Sequence, residues 1–348
     1  MHHIRIWVFE GVLASGVAGS VDVFATANAM WADLNRGMRL PPLFEWRIES
    51  PDGNPVRTAS GQVVTVDGAI NSRTAADAVI MPGPFVSDTP RFLNRMSALQ
   101  AMLAALRRQH DRGALIASYC SGSFILAEAG LLDGRAATTH WALAKAFRQR
   151  YPKVHLRPAE VMTEQDRILC SGAVTTYLNL ALRLVEKLAG ANLAMLTGKM
   201  LLIDTNRISQ AAYATLTLQD QQHHTDQLVK RGQRWMEKNL HRGFHLAELA
   251  DHLAVSERTL SRRFKQAVGQ APLQYLQILR IEIAKRLLET SGLNVESVSE
   301  RVGYGDLSTF RRLFRRETGL SPREYQRGFS RRHRAASMQR RTARATPR

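Results

Sequence analysis

The 348-residue chain is poor in cysteine: it holds only Cys120 and Cys170, and neither belongs to a CxxC pair. That scarcity excludes a disulfide-stapled scaffold, fits a reducing compartment and leaves no usual zinc pattern. The pairs His2-His3 and His223-His224 are weak hints of a metal on their own, so neither a metal nor a cofactor is expected. Long apolar runs are missing too. The longest weakly charged stretch, 114–132, contains Glu128 and two glycines and reads as strand, turn and helix rather than a membrane span. The opening MHHIRIWVFEG has no apolar run fit for a secretory signal, and a cytoplasmic protein with no membrane partner is expected.

Acidic residues are also scarce, 30 against 48 basic, which gives a net charge of +18. The imbalance is local. Residues 221–348 hold 26 Lys and Arg against 12 Asp and Glu, a net +14, so a basic module follows a nearly neutral body. Such asymmetry points to a polyanion, nucleic acid before membrane. The last 19 residues contain seven arginines without hydrophobic periodicity and are expected to be disordered.

The basic third contains a repeat. HLAELADHLAVSERTLSRRFKQAVGQAPLQY (245–275) aligns with NVESVSERVGYGDLSTFRRLFRRETGLSPREY (294–325), with one extra residue near Gly305. Leu246, Leu249 and Leu253 match Val295, Val298 and Val302, the spacing of an amphipathic helix. Leu260 and Phe264 match Phe310 and Phe314; Gly269, Pro272 and Tyr275 match Gly319, Pro322 and Tyr325. Ser256 and Asp306 suit the N-cap of the helix after each tight turn. Helix, turn and capped basic helix describe a helix-turn-helix. The intervening LQYLQILRIEIAKRLLETSG has helical periodicity and would hold the two units at a fixed separation, as entry into successive major grooves requires.

Residues 225–330, with the segment VGYGDLSTFRRLFRRETGLSPREYQR, resemble the DNA-binding domain of the AraC/XylS family of transcription regulators. The resemblance implies that the first recognition helix offers Arg258, Thr259, Ser261 and Arg262 to DNA. The second would offer Leu307, Ser308, Thr309, Arg311 and Arg312. Arg262 and Arg312 suit guanine or phosphate. Arg263, Lys265, Arg315 and Arg316 suit phosphates, which position a protein without specifying sequence.

The first two hundred residues alternate strand and helix patterns, among them HIRIWVFE, ADAVIMPG and ALIASY as strands and 91–113 as one long helix. This predicts an α/β flavodoxin-like domain with a mainly parallel sheet, followed by an all-α domain of two helix-turn-helix units. Ligands of such sheets bind at the carboxyl ends of the strands, where Glu10, Pro82-Gly83 and Cys120 all fall. In ASYCSGSFILAEAGLLDGRAATTHW, Cys120 sits on a strand-to-helix turn whose helix N-terminus would favour a thiolate, with His140 twenty residues on.

This region resembles the PfpI-type, class I glutamine amidotransferase-like superfamily, and more narrowly the sensing domain of GlxA-type AraC regulators. Two departures weigh against a thiol enzyme. The superfamily's PGG is Pro82-Gly83-Pro84 here, and proline has no N–H for an oxyanion hole. The acid expected after the first strand aligns with Gly16. A binding pocket of Glu10, Gly83, Pro84, Cys120, Ser121 and His140 is therefore expected, and no catalytic residue. The expected division is a sensor over 1–215, a linker over 216–228, a DNA-binding domain over 229–330 and a basic tail over 331–348. The resemblance implies double-stranded DNA, RNA polymerase and a second copy of the chain as partners, activation as the commoner mode, and an amino acid or quaternary amine as effector. The alternative is an amidase- or deglycase-like thiol hydrolase fused to a DNA-binding module.

Overall fold

The computed structural model describes residues 1–71, 73–207, 209–214 and 224–330. The expected linker up to residue 223 and the expected tail from 331 lie outside these residues. The chain forms two compact units, Met1–Gln210 and a second beginning at Ala211.

In the first unit, β1 (His2–Trp7) leads into α1 (Ala14–Leu34) and β2 (Phe44–Ser50). The short strands β3 (Val56–Arg57), β4 (Val63–Val64) and β5 (Gly68–Ala69) precede β6 (Ala78–Met81), α2 (Thr89–Arg95) and α3 (Gln100–Asp111). Then come β7 (Leu115–Tyr119), α4 (Gly122–Glu128), β8 (Ala136–Ala137), α5 (Ala144–Arg150) and β9 (His155–Leu156). The unit closes with β10 (Met162–Gln165), β11 (Ile168–Ser171), α6 (Tyr177–Ala189) and α7 (Ala191–Met200). Seven strands form one sheet in the order β10-β11-β7-β6-β1-β2-β5. Every pairing in it is parallel except β10 with β11. Every residue of β6, β7 and β11 is buried, which requires cover on both faces of the sheet and explains why these strands read as unbroken apolar runs.

The expected single helix over 91–113 is two helices. A 3-10 turn over Met96–Leu99 separates α2 from α3, and Leu99 leaves helical dihedrals with φ −99° and ψ 13°. Phe92, Met96, Leu99, Leu103 and Leu106 keep helical spacing across the break. Tightening one turn to i→i+3 bonds therefore leaves no trace in the periodicity.

The second unit contains α8 (Gln227–Lys238), α9 (Leu246–His252), α10 (Glu257–Val268), α11 (Pro272–Thr290), α12 (Val295–Arg301), α13 (Leu307–Thr318) and α14 (Pro322–Phe329). It has two apolar cores. Val229, Leu249, Leu260, Phe264 and Tyr275 build one; Val298, Phe310, Phe314 and Tyr325 build the other. The matched aromatic pairs make the same edge-on contact, Phe264 with Tyr275 at 5.9 Å and Phe314 with Tyr325 at 5.4 Å between centroids. Gly269 and Gly319 end α10 and α13 in left-handed conformations, φ 77° and 76°, as a Cβ-free residue allows.

The connecting helix α11 carries two buried cations. Arg280 donates to the carbonyls of Leu240 and Arg242, and its guanidinium lies 5.3 Å from the Tyr304 ring centroid. Lys285 donates to the Ala214 carbonyl and to Glu282. Arg280 thus bonds to the segment just after α8 and stacks on the turn of the second repeat, so the strut fixes both.

Candidate ligand cavity and nucleic-acid interface

β7 ends at Tyr119, and Cys120 turns the chain with φ 57° before α4. The loop after β6 presses against this elbow. A Cβ on Gly83 would stand 2.6 Å from the Ser121 backbone nitrogen, and one on Gly122 would stand 2.4 Å from the Met81 carbonyl oxygen. Glycine at both positions is what lets the two strand ends meet. Ser121 Oγ donates to the Pro84 carbonyl at 2.6 Å. Cys120 is buried in this contact, and burial pushes its thiol up to about 11 against the opposing pull of hydrogen bonds from Ser121. Desolvation outweighs the helix N-terminus, and at neutral pH the group is a thiol rather than a nucleophilic thiolate.

The partners a catalytic cysteine needs are not bonded to Cys120 among the described residues. His140 Nδ1 accepts from the Ala142 N–H at 3.2 Å, and burial lowers its pKa. Among the described residues no hydrogen bond joins His140 to Cys120. Thr139 makes the nearer link, its hydroxyl donating to the Cys120 carbonyl at 3.2 Å. At Gly16 a Cβ would fall 2.2 Å from the Tyr119 hydroxyl oxygen. The phenol ring fills the space an acid at that position would need. Cys170, on β11, is wholly buried, and Gln210 bridges the same end of the sheet, accepting from Ala173 N–H at 2.9 Å and donating to the Thr139 carbonyl at 2.9 Å.

Beside the elbow lies a cavity of about 550 Å³, bounded by the loops after β1, β2 and β6 and by α2. Glu10 and Pro84 line it; Gly83, Cys120, Ser121 and His140 do not. Glu10 Oε2 accepts from the Arg57 N–H at 3.1 Å, joining the loop after β1 to β3. Arg91 and Arg95 line it too; the sequence reading missed them although they fall one helical turn apart in RFLNR. A wider groove of about 1050 Å³ runs along α6 and α7, with Met195 and Leu202 on its rim. Among the described residues no cluster of three His, Cys, Asp or Glu side chains is placed to hold a metal.

In the second unit, Ser256 caps α10 by accepting from Thr259 N–H at 3.2 Å. Asp306 caps α13 by accepting from Ser308 and Thr309 N–H at 3.1 and 2.8 Å. Leu260 and Phe264 turn α10 inward while Arg258, Arg262 and Lys265 stay exposed; Phe310, Leu313 and Phe314 do the same for α13 and leave Arg311, Arg312 and Arg315 exposed. Among the described residues the side chains of Arg258, Arg262 and Lys265 make no hydrogen bond or ion pair, while Arg312 and Arg315 act only through charge, on Asp306 and Glu324. Two capped helices of one repeat, each with an outward cationic stripe, match what a pair of major-groove readers requires.

Comparison with known proteins agrees with both units. Residues 21–187 match the DJ-1/PfpI family, and residues 249–328 match a helix-turn-helix domain. The chain combines a DJ-1/PfpI domain with an AraC-type helix-turn-helix domain, and its homologues are AraC-family regulators. It is 28% identical over 318 residues to the HTH-type transcriptional regulator CdhR of Pseudomonas aeruginosa, covering 90% of this chain and 88% of that one. To GbdR, an HTH-type transcriptional regulator of the same organism, it is 27% identical over 286 residues, covering 82% and 76%. Among solved structures it is similar to an AraC family transcriptional regulator from Pseudomonas putida, with TM-score 0.44, 20% identity, 58% of this chain and 100% of that one.

Several residues that the AraC resemblance assigned to DNA have other contacts. Arg263 forks onto Asp226, with Nε and Nη2 both at 2.7 Å, so this guanidinium is already paired where a phosphate contact was expected. Arg311 reaches Glu296 at 3.3 Å, and Arg316 reaches Glu317 at 2.7 Å. Leu307 is half-buried against its own core. Thr259, Ser261 and Thr309 are half-buried, and Ser308 is exposed.

Proposed function

We propose that this AraC-type regulator binds double-stranded DNA through α10 and α13 and that a small metabolite bound in the DJ-1/PfpI unit controls that binding. The observation that carries the reading is the repeated capped helix with exposed arginines on its outer face. Arg262 and Arg312 read base edges; Arg258, Lys265 and Arg315 neutralise phosphates. Activation through RNA polymerase, a homodimeric state, a cytoplasmic location and an amino acid or quaternary amine as effector belong to the same proposal.

Catalysis by Cys120 is disfavoured by a thiol that stays protonated at neutral pH, a histidine bonded elsewhere and proline in place of an oxyanion-hole donor at position 84. Losing one such donor typically lowers a rate by about 10²–10³-fold.

The test is selection of genomic fragments by the purified full chain, followed by footprinting. Protected half-sites about 10 bp apart support the reading. Salt-sensitive binding without a preferred sequence, with and without candidate effectors, overturns it. Cys120→Ser is expected to leave specific DNA binding unchanged.

A further inference from the structure

The cavity bounded by α2 and the loops after β1 and β2 holds charges that the fold does not use. Arg91 and Arg95 lie one turn apart on α2 and both line it. Neither guanidinium has a partner among the described residues. Two like charges at i, i+4 repel each other, so this arrangement is relieved by an anion placed between them. Arginine pairs at such spacing suit a carboxylate, which accepts parallel N–H bonds from one or both guanidiniums.

The same cavity also carries the opposite sign. Glu10 Oε2 accepts from Arg57, and no described residue binds Oε1. Asp52 and Asp88 also line the cavity: Asp52 holds Asn54 with both oxygens, and Asp88 caps α2 through Oδ1. Spare bonding capacity is therefore two guanidiniums and two carboxylate oxygens, one on Glu10 and one on Asp88. Phe9 and Phe85 supply apolar wall, with the Phe85 ring exposed. A volume of about 550 Å³ is in the range of small-molecule sites.

We propose that this cavity, and not the cysteine elbow, is the effector site. It takes a small organic zwitterion, its carboxylate on Arg91 and Arg95 and its cationic end toward Glu10. The proposal rests on the regulator reading only for the meaning of the ligand; the binding itself is a property of the first unit.

The experiment is a thermal-shift and calorimetric series on the full chain. The probes are ω-amino acids from glycine to 6-aminohexanoate, the matched unsubstituted carboxylates, the matched alkylamines, and inorganic phosphate. At least one amino acid is expected to bind at least about tenfold tighter than its matched carboxylate, with the amines and phosphate weaker still. Arg91→Gln with Arg95→Gln should weaken that amino acid at least about tenfold. Glu10→Gln, which keeps a group able to accept from Arg57, should remove the preference for amino acid over carboxylate and leave carboxylate binding in place. Cys120→Ser should change nothing.

Binding by no member of the series, phosphate in preference to every carboxylate, or undiminished binding by the double arginine variant would overturn the proposal. So would loss of binding in Cys120→Ser, which would place the ligand at the elbow. The footprinting outcome is independent: zwitterion binding without a preferred DNA site would keep the cavity and discard the regulator reading.

Discussion

The two helix-turn-helix repeats share a plan but not a degree of local specification. At the turn, both place a residue in the left-handed region, Ala254 with φ 54° and Gly303 with φ 82°. The first repeat holds a Cβ in a conformation that L-residues adopt at a cost. The second has no room for one: a Cβ on Gly303 would lie 2.3 Å from the Leu240 carbonyl oxygen. Ser256 accepts one backbone N–H, Asp306 two. The helix after the first reader starts at Ala271 with no side-chain cap; its counterpart starts at Ser321 with a complete capping box to Glu324. The first repeat instead relies on a long-range ion pair, Asp226 with Arg263, at a position where the second buries Leu313. The second repeat is specified locally and the first by what docks on it. Amides of α10 are therefore expected to exchange hydrogen faster than those of α13.

The largest way to break this contrast is Gly303→Ala. It forces a side chain into a backbone carbonyl and should destabilise the second unit by about 3 kcal/mol or more, read as the unfolding midpoint in denaturant. Arg262→Ala and Arg312→Ala come next, each lowering specific DNA affinity by about 1–3 kcal/mol if it removes a bidentate base contact; equal losses on random DNA would show that they meet phosphates instead. Ser256→Ala should cost about 1 kcal/mol of stability. Asp306→Ala should destabilise in a pH-dependent way. Hydrogen bonds from Thr309 and Ser308 hold the Asp306 carboxyl below its usual 3.8. Its contribution is complete above that value and is lost as pH falls through the folded-state pKa, so wild type and variant should converge in acid.

A smaller change sharpens the comparison. Asp226→Asn frees Arg263 and should steepen the dependence of DNA affinity on salt by about one unit, as one more phosphate contact would. An unchanged slope would mean that Arg263 does not reach DNA even when released. Smallest is Ala254→Gly, where relief of the left-handed alanine opposes the added freedom of the unfolded chain; a shift within about 1 kcal/mol is expected, in contrast to the reverse change at 303.

Local rules made much of this legible in the sequence. The repeat announced itself because apolar spacing, N-caps and terminal glycines recur together, and each is fixed by backbone geometry within one turn. The parallel sheet was legible from short apolar runs such as AVIM and LIASY separated by helices. What escaped depended on distant partners. Nothing near Arg263 signals that Asp226 will claim it, 37 residues away. The buried cations Arg280 and Lys285 look like surface residues of an amphipathic helix until the carbonyls of Leu240 and Ala214 are placed beside them. The cavity was only half visible: Glu10 and Pro84 stood out at strand ends, whereas Arg91 and Arg95 lie in a stretch whose unbroken apolar period hides the turn at Met96–Leu99.

The ring of Tyr119 opposite Gly16 also bears on what substitution can reach from here. Installing glutamate at 16 alone drives a side chain into the phenol. Truncating Tyr119 first empties a buried site, at about 3–5 kcal/mol for an aromatic side chain lost to alanine. Either order passes through a damaged intermediate, so the two positions are epistatic and only the paired change is open. Packing therefore acts as a ratchet: once an aromatic occupies that space, no single mutation at Gly16 or Tyr119 installs an acid there without damage, and the elbow persists as architecture.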